Sequence, residues 1–174
     1  MQTLLPFAGA LPISLSADFA LTRDGVRIRF HLEGPQHNVV GGLADGAWDA
    51  ATIVRADGLW RRTCFEAFWS EPSCEAYWDL NLSPAGAWNL YRFTSCRMPQ
   101  PPRRSDDYAL VSLRTTATDL VCDLATALRP RALDLSLCAV IQLAGKAHHF
   151  AQVHGGRLPD FHRRDSFTIR RDAR

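Results

Sequence analysis

Apolar and polar residues alternate along most of this chain with a period of two, and helical spacing is almost absent. In "GVRIRFHLEG", Val26, Ile28, Phe30 and Leu32 fall on one face and Arg27, Arg29 and His31 on the other. Side chains of an extended strand point alternately to its two faces, so this pattern predicts a half-buried strand. The same reading predicts strands in "TCFEAFW", "CEAYWDLNL" and "AWNLYRFTS", separated by the turns "SEPS" and "SPAG". Beyond the Pro-rich loop "MPQPPRRSDD" it continues through "YALVSLRTT", "DLVCDLATAL", "LDLSLCAVIQLA", "HHFAQVH" and "SFTIRR". Only "TDLVCDLATAL" is ambiguous, because Leu120, Leu124 and Leu128 also fit a helix. The start, "MQTLLPFAGALPISLSADFA", reads as an irregular entry into a first strand. It has no positive n-region, and Pro6 and Pro12 break its apolar run, so a secretory signal is not the expected reading of this stretch.

Eight to ten short strands with a turn signal about every ten residues predict an all-β fold, an antiparallel β-sandwich of jelly-roll type. The 174 residues carry no internal repeat and no linker, so residues 1–174 read as one domain.

Composition changes this picture little: 47% hydrophobic and 22% charged residues are ordinary for a soluble globular protein. A net charge of +2 gives no footing for nucleic acid or an anionic membrane as partner. No stretch approaches the roughly 18 apolar residues of a spanning helix. Cys64, Cys74, Cys96, Cys122 and Cys138 are odd in number, and no pair has CxxC spacing. Free thiols in a reducing, cytoplasmic compartment are expected, and no disulfide framework.

The informative stretch is Arg61 to Phe93. On its first strand Phe65, Ala67 and Trp69 share a face opposite Cys64, Glu66 and Phe68. On the second, Ala76, Trp78, Leu80 and Leu82 oppose a row of Glu75, Tyr77, Asp79 and Asn81. On the third, Trp88, Leu90 and Arg92 oppose Asn89, Tyr91 and Phe93. If the strands are antiparallel neighbours, Glu66, Tyr77, Asp79, Asn81 and Arg92 are expected to converge on one surface. An ordinary wet sheet face with cross-strand ion pairs would carry some of these residues. Carboxylate, amide, guanidinium and phenol beside aromatics are, however, the partners that sugar hydroxyls and the C–H face of a sugar ring require. Trp60, in "ADGLW" just before the first strand, is the candidate stacking platform.

The segments "DGLWRRTCFEAFW", "YWDLNLSPAGAWNLYRF" and "HGGRLPDFH" resemble the DOMON-like bacterial proteins related to the family 9 carbohydrate-binding modules. The resemblance implies a jelly-roll β-sandwich and a ligand site for a small or terminal sugar. It implies Trp60 as first aromatic wall, Glu66 as acidic hydroxyl partner, Asp79 and Asn81 as acid and amide, and Arg92 as guanidinium. Sugar-binding relatives place a second Trp late in the chain, whereas the last Trp here is Trp88; Phe150 or Phe161 would have to replace it.

Other chemistries have less behind them. Glu66 with Asp79 or Glu75 would be the acid and nucleophile of a glycosidase, but nothing in the sequence sets one acid apart. A haem held by Met and His has only Met1 and Met98 to draw on, so no cofactor is expected. His154, Asp160 and His162 in "HGGRLPDFH" suit the rim of the site, with an Asp–His hydrogen bond favoured over a metal ion. The expectation is therefore a non-catalytic binder of a small carbohydrate, with a ligand-free interaction domain as alternative.

Overall fold

The computed structural model describes residues 1–34, 46–49, 52–130 and 132–173, so the last residue of the basic tail, Arg174, lies outside them. Those residues form an all-β fold. The strands are β1 (Gln2–Pro6), β2 (Ser14–Thr22), β3 (Gly25–Glu33), β4 (Gly46–Asp49), β5 (Val54–Arg55), β6 (Cys64–Ser70) and β7 (Tyr77–Ser83). They continue with β8 (Ala87–Phe93), β9 (Arg103–Arg104), β10 (Ala109–Thr115), β11 (Asp119–Ala125), β12 (Ala132–Leu143), β13 (Lys146–Ala151) and β14 (Ile169–Asp172). Among the described residues the only helical turns are two 3-10 turns, and no helix is long and apolar enough to cross a membrane.

All strands join one curled sheet in the order β4-β10-β11-β3-β2-β1-β13-β12-β6-β7-β8-β5, with β14 beside β12 and β9 beside β8. The hinge of the curl is β1. Its first residues pair with β2 (Leu4 opposite Leu15), and its last pair with β13 (Pro6 opposite Phe150). The sheet thereby folds into two halves whose apolar faces meet. Phe30 packs on Phe65 at 5.1 Å and Phe19 on Trp69 at 5.7 Å across the core.

Period-two alternation set most of these elements, but three points differ from expectation. The start of the chain holds two strands, because Pro6 ends β1 where it leaves β13 and the chain returns as β2. Pairing is not wholly antiparallel, since β5 runs parallel to β8. The ambiguous "DLVCDLA" is strand: its buried positions Leu120, Cys122 and Leu124 recur every second residue against β3 and β10.

The second half has a feature that simple alternation does not predict. Every residue of β6 is buried, and β7 is buried on both faces up to Leu82. Its outer side carries a second cluster of Phe68, Tyr77, Tyr91, Phe93, Cys138, Ala151 and Phe167, with Phe161 packed against it. Loops cover that outer side, and they frame the site.

Candidate functional site

Register brings the polar residues together. Glu66 stands opposite Asn81, which stands opposite Asn89; one pleat along, Phe68 faces Asp79 and Asp79 faces Tyr91. Residues opposite one another in antiparallel strands share a face, so Glu66, Asp79 and Asn81 lie on the outer side of β6 and β7. They form the floor of a pocket of about 360 Å3. That volume is within the range of about 300–1,000 Å3 usual for small-molecule sites.

Three loop segments make the walls. The 3-10 turn Leu59–Arg61 carries Trp60, which is 39% exposed and meets Tyr91 edge-on at 5.9 Å. The chain enters this turn through Gly58 at φ 73°, a left-handed conformation that glycine adopts without strain. Asp57, just before it, accepts hydrogen bonds from the Tyr91 hydroxyl (2.8 Å) and the Asn89 amide (2.8 Å) and pairs with Arg104. This ties the Trp60 loop to β8. Arg104 and Tyr91 also hold the Asp57 carboxyl below the usual carboxylate range.

A second wall segment is Pro159 to His162, and a third carries Arg97, Gln100 and Pro102. Arg97 donates to Asp160 at 2.7 Å and its backbone N–H donates to the Tyr77 hydroxyl at 3.1 Å. That hydroxyl also bonds Nδ1 of His162 at 2.7 Å. Tyr77 is therefore fully buried beneath the loops and clamps them together.

The electrostatics of the floor are unusual. Glu66 is 4% exposed and Asp79 5%, and Oε1 of Glu66 has no hydrogen-bond partner. Burial pushes the Glu66 carboxyl well up, and the neighbouring Asp79 charge adds to the shift. Burial likewise raises Asp79 to about 8, against the amide hydrogen bond from Asn81 (2.6 Å) and the charge of Arg97. His162 is pushed down to about 4, first by burial and then by Arg97, so its imidazole is neutral at pH 7. Burial also lowers His149 at the pocket edge. The pocket is thus lined by two carboxyls that resist ionising, an amide, an indole and a phenyl ring.

Of the residues expected to converge, Trp60, Glu66, Asp79 and Asn81 line the pocket, and Asp160 and His162 form part of its rim. Three expectations are corrected. Arg92 stands opposite Trp78, not Asp79, so it projects to the other side of the sheet and lies 4.0 Å over the Trp78 ring. The reason is parity, since Arg92 is one residue from both Tyr91 and Phe93, which face outward. Tyr77 shares the outer face but is spent on the loop clamp and does not line the pocket. His154 is turned away, with Nε2 donating to the Leu5 carbonyl at 2.8 Å. The loop does contain an Asp–His hydrogen bond, from the His162 backbone N–H to Asp160 at 3.1 Å, and Asp160 also accepts from Arg97. Among the described residues no three His, Cys, Asp or Glu side chains gather in a way that would hold a metal ion.

Sequence reading missed Arg97, Gln100 and His149. Arg97 and Gln100 sit on or beside the Pro-rich loop, where no periodic signal exists. His149 was legible, because Phe150 beside it belongs to the core and a neighbour in a strand faces the opposite way. The two candidates for the missing late aromatic are separated by their elements, Phe150 on β13 and Phe161 in a turn. Phe150 is sealed in the core, whereas Phe161 lines the pocket.

No family model matches the sequence, and no curated protein matches it. In three dimensions the chain is similar to a "putative carbohydrate-binding protein" from Bacteroides uniformis, with a TM-score of 0.60 at 12% sequence identity. The match covers 90% of this chain and 77% of that one. It is the structural likeness, not the identity, that shows a shared fold, and it shows the fold alone.

Proposed function

We propose that this protein is a one-domain, non-catalytic binding module for a small carbohydrate, held in the pocket above Glu66, Asp79 and Asn81. The observation that carries the reading is one pocket lined by a polar floor together with two aromatic side chains, Trp60 and Phe161. An aromatic ring suits the C–H side of a sugar, and the carboxyls and amide meet its hydroxyls. Arg97 takes the place that the DOMON-like resemblance would give to Arg92. The name of the similar Bacteroides uniformis protein favours the same ligand class. A jelly-roll sandwich of the DOMON-like kind remains part of this proposal, as does a cytoplasmic setting.

Thermal-shift measurements with millimolar mono- and disaccharides test it, since a ligand that binds only the folded state raises Tm. Trp60→Ala should lose the rise, and Arg92→Ala, on the other side of the sheet, should keep it. No rise with any sugar would leave an interaction domain as the better reading.

A second reading has one observation in its favour. A buried carboxyl kept protonated near neutrality beside another acid is what glycoside hydrolysis requires of its general acid. Release of reducing sugar that depends on Glu66 would replace the binding module with a glycosidase.

A further inference from the structure

Most of the described aspartates of this chain have arginine partners. Asp119 pairs with Arg29, Asp123 with Arg27 and Arg114, Asp57 with Arg104, and Asp160 with Arg97. Glu66 and Asp79 are the exceptions in the pocket: among the described residues no ion pair reaches either of them. Arg97, the guanidinium nearest Asp79 in effect, is already bound to Asp160. The histidines beside them cannot substitute, because burial keeps His162 and His149 from charging. Oε1 of Glu66 is buried without any donor, and the nearest side chain on its own strand, the Cys64 thiol, is a weak one. Two carboxyls on adjacent strands thus face one cavity with no directly paired cation that would let them ionise.

A neutral hydroxyl would bring a single donor to such a floor. A primary ammonium brings three donors and the missing charge, and charge-assisted hydrogen bonds are roughly twice as strong as neutral ones. Resting on the sugar-binding reading, we propose that the pocket selects carbohydrates bearing a free amine, whose ammonium sits between Glu66 and Asp79. The remaining hydroxyls go to Asn81 and the rim, and the ring stacks on Trp60. The absence of lysine and arginine from the floor is then a specificity device, since a protein cation there would compete with the ligand's own.

Titration calorimetry at pH 7.5 tests this with D-glucosamine, D-galactosamine and D-mannosamine. Each is compared with its neutral parent hexose and with its N-acetyl derivative. For at least one configuration the amine should bind about tenfold more tightly than the parent, a difference of about 1.4 kcal/mol. N-acetylation, which removes the charge, should abolish that gain. Glu66→Gln should bring the amino sugar to the level of its parent; if that variant fails to fold, the three-way comparison on the native chain decides alone. Amine and parent within about twofold in every configuration would overturn amine selection and leave sugar binding standing. No binding of any of the nine compounds would overturn the sugar reading itself, and this inference with it.

Discussion

On the outer face of β2, β3, β11 and β10, charged residues alternate with core residues and pair across the strands. Arg27 meets Asp123 at 2.6 Å, Arg29 meets Asp119 at 2.8 Å, and Arg114 meets Asp123 at 2.9 Å. The arginines are about half exposed, and the acids keep carboxyls shifted below their ordinary range by these partners. On the outer face of β6, β7 and β8 the same alternation places Glu66 and Asp79, and there both carboxyls are shifted upward. What separates the faces is cover. The first looks onto water, whereas the second lies under the Trp60 turn and the loops carrying Arg97 and Phe161, which remove solvent while the one guanidinium they bring to the pocket, Arg97, is paired with Asp160. An acid on a strand is therefore a surface ion pair or a buried binding group according to what the loops do above it.

The largest effect expected from that difference is on packing. Phe68 lies on the covered face in contact with Phe161, His162 and Phe167, and its replacement by alanine should cost about 3–5 kcal/mol in denaturant unfolding. The wall it supports should collapse with it, so ligand stabilisation should vanish even where the variant still folds. A loss of under about 1 kcal/mol would mean that the loops do not pack on this face as described.

A smaller effect concerns pH. Asp79, raised from 3.8 to about 8, binds more protons folded than unfolded, so its contribution to stability is present at low pH and lost as pH rises through about 8. Glu66, shifted in the same direction, adds to this. His162, lowered from 6.5 to about 4, acts the other way, adding stability as pH rises from about 4 to 6.5. The two trends oppose each other below pH 6.5, and only the acids act above it. Unfolding free energy should therefore fall between pH 6.5 and 8, by on the order of 1 kcal/mol per floor carboxyl, with Tm falling in step, and Asp79→Asn should flatten the fall. A Tm that rises across this window would show the floor carboxyls to be ionised and paired.

The smallest effect is on the open face. Arg29→Ala removes an exposed partner of Asp119 and should change stability by under about 1 kcal/mol, less still in high salt. A loss as large as that of Phe68→Ala would erase the contrast between the two faces.

The chain's alternation determined by itself that the fold is all-β, and it assigned faces to Glu66, Phe68, Asp79 and Asn81, because a strand's period of two is a local property of the backbone. Turn residues at "SEPS" and "SPAG" likewise predicted that these strands would be neighbours. The same rule put Arg92 on the face of Trp88 and Leu90, away from the site, and the expectation that it joins Glu66 and Asp79 ran against that parity. Tertiary structure alone decided which outer face would be sealed. The wall containing Phe161 reaches the floor from about 80 residues away in sequence, and Arg97 enters from a loop with no periodicity to read. It also decided the charge of the floor, since the ionisation of a carboxyl depends on the water and cations removed or supplied by distant segments, and no local pattern records them.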